Sequence, residues 1–210
     1  MPAQLRPPRR RLLLAPFALA ASRPAWAQAR PPVGAVAEAV GETEARFGNE
    51  ARALAASAPV LLEDTLRTGP ASRLAVRLEG GIALRLTAQA SLRINRFVLE
   101  ARGNTPPGLR LGAGPQGGLW LEGPAGAMPA AVDSAWALVA VRGTAFFAGE
   151  VDGRYAVFVQ RGSVAVVAAE TAVVLEAGQG CEVAAPGAPP SQAVTWGTGR
   201  VARTLALVGL

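Results

Sequence analysis

The chain has no histidine and a single cysteine, Cys181. The commonest general base and the usual zinc ligand sets are therefore both missing, and acid–base chemistry would fall to carboxylates. Those nearest the apparent motifs are Glu63, Asp64, Asp133, Glu150 and Asp152. A carboxylate-dependent hydrolase needs two of them converging on one bond. Glu63 and Asp64 are adjacent, so on a strand they leave opposite faces. Asp152 is accounted for by a turn, Asp152-Gly153. Gly112-Ala113-Gly114-Pro115-Gln116-Gly117 has the spacing of a dinucleotide loop. That mechanism needs a helix opening from the loop, which Pro115 and Gly117-Gly118 would break, so the segment reads as a loop without a cofactor. Trp120, Trp136 and Trp196 either line a glycan- or ligand-binding face or pack inside. Cys181 cannot form an internal disulfide, and its strand-like surroundings suit a buried, inert thiol. We expect no catalytic residue, cofactor or metal.

Charge points the same way. All 21 basic residues are arginine, and five of them (Arg6, Arg9, Arg10, Arg11 and Arg23) precede residue 28, where there is no acid. The remaining 16 face 15 acids, a net charge of +1, which gives no electrostatic reason to expect nucleic acid. Residues 1–27 read as a cleavable export leader. Arg9-Arg10-Arg11 precedes a mostly apolar run from Leu12 to Ala21, and Ala25-Trp26-Ala27 places small residues where a signal peptidase cuts, after Ala27. The run is shorter than the 20 or so residues a membrane helix needs. The route is twin-arginine or general secretory, and Arg23 suits the former. Residues 28–32 are then a tether, and no later run reaches membrane-spanning length.

The elements are short strands. Val139 to Phe147, Tyr155 to Val159 and Val164 to Val167 read as three consecutive antiparallel strands. The Asp152-Gly153 turn sets Phe147 opposite Phe158 and Phe146 opposite Val159. Large apolar groups then point both ways, so cover is expected on both sides. Arg142 breaks the alternation; either Gly143 marks a bulge that turns it outward or Arg142 has a partner. In Arg73 to Thr87, a three-residue loop Glu79-Gly80-Gly81 pairs Leu78 with Ile82, Val76 with Leu84 and Leu74 with Leu86. Arg73, Arg77 and Arg85 then face water. Gly48-Asn49 divides Glu42 to Ala58 into two short strands. Strands are also expected at Val33–Val40, Ser91–Glu100, Leu119–Glu122 and within Thr171–Val183. Ala101–Gly118, with or without a short strand at Leu109–Leu111, and Gly123–Ala131 read as loops. Residues 33–183 form the domain, 184–190 a Pro/Gly linker, and 191–210 a tail: a helix through Val201, Leu205 and Val208, a last strand, or a frayed end. The expected architecture is all-β, ten to fourteen short antiparallel strands in a two-layer sandwich or twisted roll. A β-solenoid-like stack is the alternative.

Several of these pieces carry a resemblance. Val141-Arg142-Gly143-Thr144 with Phe146, the Asp-Gly turn, a Val-rich strand, Gly162 and another Val-rich strand resembles the central signature of the FecR (ferric-citrate regulator) domain family. Asp64-Thr65-Leu66-Arg67-Thr68-Gly69 and the hairpin around Gly81 resemble its first half. Val174 to Gly180, with Gly178, resembles its closing strand. Glu63 departs from the family, which often has Gly there. The resemblance implies a non-catalytic domain outside the inner membrane. In the family's best-known members it relays the state of an outer-membrane receptor to a cytoplasmic sigma factor through a membrane helix and a cytoplasmic segment, neither of which follows the leader here. The expectation is a periplasmic or secreted sensing, regulatory or scaffold module that contacts envelope proteins. A glycan- or ligand-binding module and a hydrolase are the alternatives. The partner, the signal and the oligomeric state are not given by the residues.

Overall fold

The computed structural model describes residues 30–101 and 103–210. The leader and its expected cleavage at Ala27 lie outside the described residues. Eighteen strands follow in chain order among them. They are β1 (Pro32–Val40), β2 (Thr43–Phe47), β3 (Glu50–Ala53), β4 (Pro59–Leu61), β5 (Thr65–Thr68) and β6 (Arg73–Leu78); β7 (Ile82–Leu86), β8 (Ser91–Val98), β9 (Gly108–Ala113), β10 (Gly118–Glu122), β11 (Pro129–Asp133) and β12 (Leu138–Arg142); and β13 (Ala145–Val151), β14 (Arg154–Arg161), β15 (Ser163–Ala168), β16 (Thr171–Glu176), β17 (Gln179–Val183) and β18 (Val194–Thr195). One helix, α1 (Thr198–Leu207), closes the chain.

The strands form two nine-stranded sheets, β18-β17-β14-β13-β10-β7-β6-β1-β4 and β16-β15-β12-β11-β9-β8-β5-β2-β3. We call them sheets A and B. Both run almost in chain order, so the two-layer sandwich is built serially from one end to the other. The strand count exceeds the expected ten to fourteen because several strands have only two to four residues and because β11 occupies part of the expected loop Gly123–Ala131. One pair departs from the antiparallel rule. β11 re-enters sheet B beside β9 after a passage through sheet A, and the two are parallel.

Registers show how the layers arise. Val151 faces Arg154 and Phe147 faces Phe158 across the turn of Asp152 (φ 53) and Gly153 (φ 75), both in the left-handed region that a type I′ turn requires. In sheet B, Val141 faces Val164 and Val139 faces Val166, continuing the same register past one irregularity at Ala145. The expected meander is thereby corrected. Val164 to Val167 pairs with the first half of Val139–Phe147, not with Tyr155–Val159, whose other neighbour is β17. β12–β13 and β14–β15 are the arms of one long hairpin, bent so that its halves lie in different sheets. Gly143 is therefore a corner between sheets and not a bulge within a strand, and Arg142 is exposed beside it.

The hairpin over Glu79-Gly80-Gly81 has the expected three-residue loop, with Leu78 facing Ile82, Val76 facing Leu84 and Leu74 facing Leu86. All six side chains are buried, worth about 9–18 kcal/mol as an upper bound. They join the core between the sheets. A second apolar cluster lies on the outer face of sheet A, where Trp120, Phe147 and Phe158 are covered by Trp196, Val201, Leu205 and Val208. The tail is thus a short strand and a helix, and the central strands are covered on both sides.

Gly143 sits at φ +61, and a Cβ there would meet the Pro124 carbonyl oxygen at 3.0 Å and the Gly126 nitrogen at 3.1 Å. Gly143→Val combines a β-branched residue in the left-handed region with that crowding. It should cost about 3 kcal/mol and lower Tm on the order of 10 °C in thermal denaturation. An unchanged Tm would refute the corner assignment.

Candidate functional site

Signature residues gather at the corners. Arg142-Gly143-Thr144 carries the chain from sheet B to sheet A, and Gly162 (φ +85) carries it back. A Cβ on Gly162 would lie 2.7 Å from Thr144 Cγ2, so the two crossings pack directly on each other. Thr144 is buried, and its hydroxyl has no hydrogen-bond partner among the described residues. Phe146 points into the core and is fully buried. Gly178 (φ +83) turns the chain between β16 and β17, and its N–H donates to the Val159 carbonyl at 2.8 Å.

Thr68-Gly69 lies at another crossing, between β5 and β6. Backbone groups at a corner leave the strand ladder and need other partners, which buried hydroxyls supply. Thr68 Oγ1 donates to the Thr87 carbonyl (2.6 Å) and accepts from the Ala90 N–H (2.9 Å). Thr87 Oγ1 accepts from the Gly118 N–H (2.7 Å), and Ser72 Oγ accepts from the Glu42 N–H (2.9 Å). Gly69 N–H donates to the Glu42 carbonyl (2.8 Å). Ser72 and Thr87 do work that the sequence reading did not assign. The available signal was a hydroxyl residue at the end of an alternating apolar run. Gly81 (φ +76), with Gly80, closes the β6–β7 hairpin, apart from these crossings.

Asp64 is the one fully buried carboxylate among the described residues. Its Oδ1 accepts from Arg30 Nη1 at 2.7 Å, and its Oδ2 accepts from the Leu61 N–H at 2.9 Å and from the Arg52 guanidinium. Arg30 also donates to the Leu62 carbonyl (3.0 Å) and lies over the Phe47 ring, 3.7 Å from its centre. The preceding Glu63 has φ +67, a backbone region that favours glycine. Asp64 therefore ties the start of the described chain to β3 and β5, a structural use of charge.

The other candidates are dispersed. Asp133 pairs with Arg110 at 2.7 Å, and Asp152 with Arg203 at 3.6 Å. Glu150 and Asp152 border an open groove of about 710 Å³ with Arg73 and Arg203, and both carboxylates are exposed. Trp120 and Trp196 are buried, whereas Trp136 stacks on Tyr155 with ring centres 5.4 Å apart. Trp120 and Trp196 meet in the cluster under α1, and Trp136 lies apart from them against the core between the sheets. Gly112 to Gly117 joins β9 to β10, a strand-to-strand corner. No group of three or more metal-ligating side chains occurs among the described residues.

Residues 64–165 match the FecR protein family. That segment is a FecR domain. The fold is similar to that of a candidate anti-sigma factor from Parabacteroides distasonis in two crystal structures, with TM-scores of 0.54 and 0.53 and 19% identity in each. The aligned region covers 67% of this chain and 63% and 64% of those chains, so it spans less than two thirds of their length. No curated protein matches. No helix among the described residues is long and apolar enough to cross a membrane.

Beyond the matched residues, α1 is laid on sheet A by both apolar and charged contacts. Trp196 stacks on Phe158 (5.0 Å), and Arg200 lies over the Trp196 ring at 3.8 Å. Arg200 Nη2 donates to Glu182 Oε1 at 2.6 Å, and Arg154 reaches the other oxygen at 3.3 Å. Arg85 is half-buried and donates to the Val208 carbonyl at 3.3 Å. This corrects the expectation that Arg85 faces water; a helix C-terminus, with its unpaired carbonyls, favours a cation there. Arg73 and Arg77 are exposed as expected. Burial pushes the Cys181 thiol up to about 11, with the neighbouring Glu182 charge adding to it, so at neutral pH it is a protonated, weakly nucleophilic thiol.

Two outcomes follow for the FecR domain and its cover. Asp64→Ala removes the carboxylate shared by the largely buried Arg30 and Arg52 and leaves the Leu61 N–H without its acceptor, so it should destabilise by about 3–5 kcal/mol in urea denaturation. The hydrogen bond from Arg200 holds the Glu182 carboxyl below its usual 4.5. A lowered native value contributes stability that is present above the unfolded value and lost as pH falls through the native one. Trp196 fluorescence should therefore report loosening of α1 below about pH 4.5, the ordinary carboxylate value, and Glu182→Gln should remove that step.

Proposed function

We propose that this chain is an exported, non-catalytic FecR-domain protein that senses or scaffolds in the cell envelope through contacts with other proteins. In this reading the leader is removed after Ala27, by the twin-arginine or general secretory route. Residues 33–183 then carry the domain, and the mature protein works in the periplasm or outside the cell. The observation that carries the proposal is the FecR-family match over residues 64–165. The fold shared with a candidate anti-sigma factor supports a regulatory role. The placement of the signature supports the same reading. Asp64, Thr68, Gly69, Gly143, Thr144 and Gly162 are engaged in ion pairing, capping or bending the chain, so we assign them to holding the domain and assign partner contact to the exposed strands.

The test is affinity capture from envelope fractions of the native host with the tagged, exported protein. Recovery of a specific envelope protein, lost on competition with untagged protein, is the expected result. Recovery of none, or turnover of a substrate by the purified protein, would count against the proposal.

A further inference from the structure

Four strands end the two sheets, and three of them are guarded. An exposed edge offers unpaired N–H and C=O groups, which proteins blunt with prolines, charges or very short strands. In sheet A, β4 has three residues and begins with Pro59. The opposite edge of sheet A is sealed by the last segment, through the Val183–Pro190 bridge, the Ser191 N–H to the Glu182 carbonyl and two residues of β18. In sheet B, β3 reads Glu-Ala-Arg-Ala, with a charge at every other position.

The fourth edge, β16, has none of these devices. It has six residues, Thr171 to Glu176, with no proline and no charge before Glu176. Val174 is 58% exposed. Ser163 faces Glu176, and the Glu176 N–H turns away from β15 to the Gln179 side chain at 2.9 Å. Alternation then directs the backbone groups of Ala172 and Val174 outward as well. Among the described residues, no hydrogen bond covers those two amides. Acids bracket the strand: Glu170 precedes it and Glu176 ends it, both exposed and neither in an ion pair among the described residues.

We propose that β16 is a docking edge that takes an extended protein segment as a tenth strand of sheet B. The segment is uncharged and β-branched in the middle, with a basic residue at each end. An antiparallel segment paired opposite Val174 places one residue opposite Glu176 and another, six positions on, opposite Glu170. Arginine or lysine at those two positions meets both acids, and intervening apolar residues on the other face extend the cover over Val173 and Leu175. Main-chain bonds supply the affinity of such strand addition, and side-chain pairs supply its selectivity. The inference rests on the reading of the domain as a protein-contact module and names the surface it uses.

The probe is a labelled peptide, acetyl-Arg-Val-Thr-Val-Thr-Val-Arg-amide, titrated into the purified protein by fluorescence anisotropy. Amide exchange is followed by NMR. We expect saturable binding, with slowed exchange at Ala172 and Val174. The same peptide with Glu at both ends should bind at least tenfold more weakly, and Glu170→Arg/Glu176→Arg should invert that preference. Val174→Pro, at an outward position where no ladder bond is lost, should abolish binding with Tm within a few degrees of the parent. Absence of binding, equal binding of the two peptides, or binding unaffected by Val174→Pro would overturn the proposal. So would self-association through this edge that Val174→Pro dissolves, because the occupant would then be a second copy. If envelope capture still recovers a partner with Val174→Pro, this inference fails while the proposed function stands.

Discussion

Strands that pair must bend together. Most long strands of this chain belong half to one sheet and half to the other, so wherever one crosses the sandwich its hydrogen-bonded neighbour has to cross at the same level. Gly143 and Gly162 stand opposite each other in a single register, both at positive φ, with Thr144 packed against the missing side chain of Gly162. The same demand recurs where β5–β6 lies beside β7–β8. There buried hydroxyls of Thr68, Ser72 and Thr87 take up the backbone groups released by the bend. The serial order of both sheets follows from this coupling.

Local features were legible where two signals agreed. Asp152-Gly153 between aromatic runs, and Gly80-Gly81 between alternating leucines, each fixed turn length and register together. The corners were not legible in that way. Val139 to Phe147 is uninterrupted in its β preference, and only Gly143 breaks it, so a straight strand and a bent one share one pattern. What distinguishes them is the identity of the neighbour, a long-range fact that periodicity does not carry. Asp64 was legible as part of a motif but not as an ion-pair centre, because Arg30 and Arg52 are 34 and 12 residues away. The tail was ambiguous for a related reason. α1 has no side-chain N-cap, no acid in its first turn and no base in its last, so its helicity depends on the apolar face it covers.

The functional reading rests on how side chains are spent. The carboxylates that could have formed a reactive pair are buried in an ion cluster, paired singly with arginine or exposed at a turn. The signature glycines and threonines are engaged by the bends. What remains uncommitted is surface, above all backbone at a sheet edge. That is the kind of feature a FecR domain can offer to another protein, and it lies apart from the bends that hold the domain together.

The bent hairpin is most directly tested by cross-strand Hα–Hα and HN–HN nuclear Overhauser contacts in solution. The account predicts contacts of Val141 with Val164 and of Phe146 with Val159 in the same molecule, with Val157 facing Cys181. Contacts between Val157 and Val166, as in a simple three-strand meander, would contradict it.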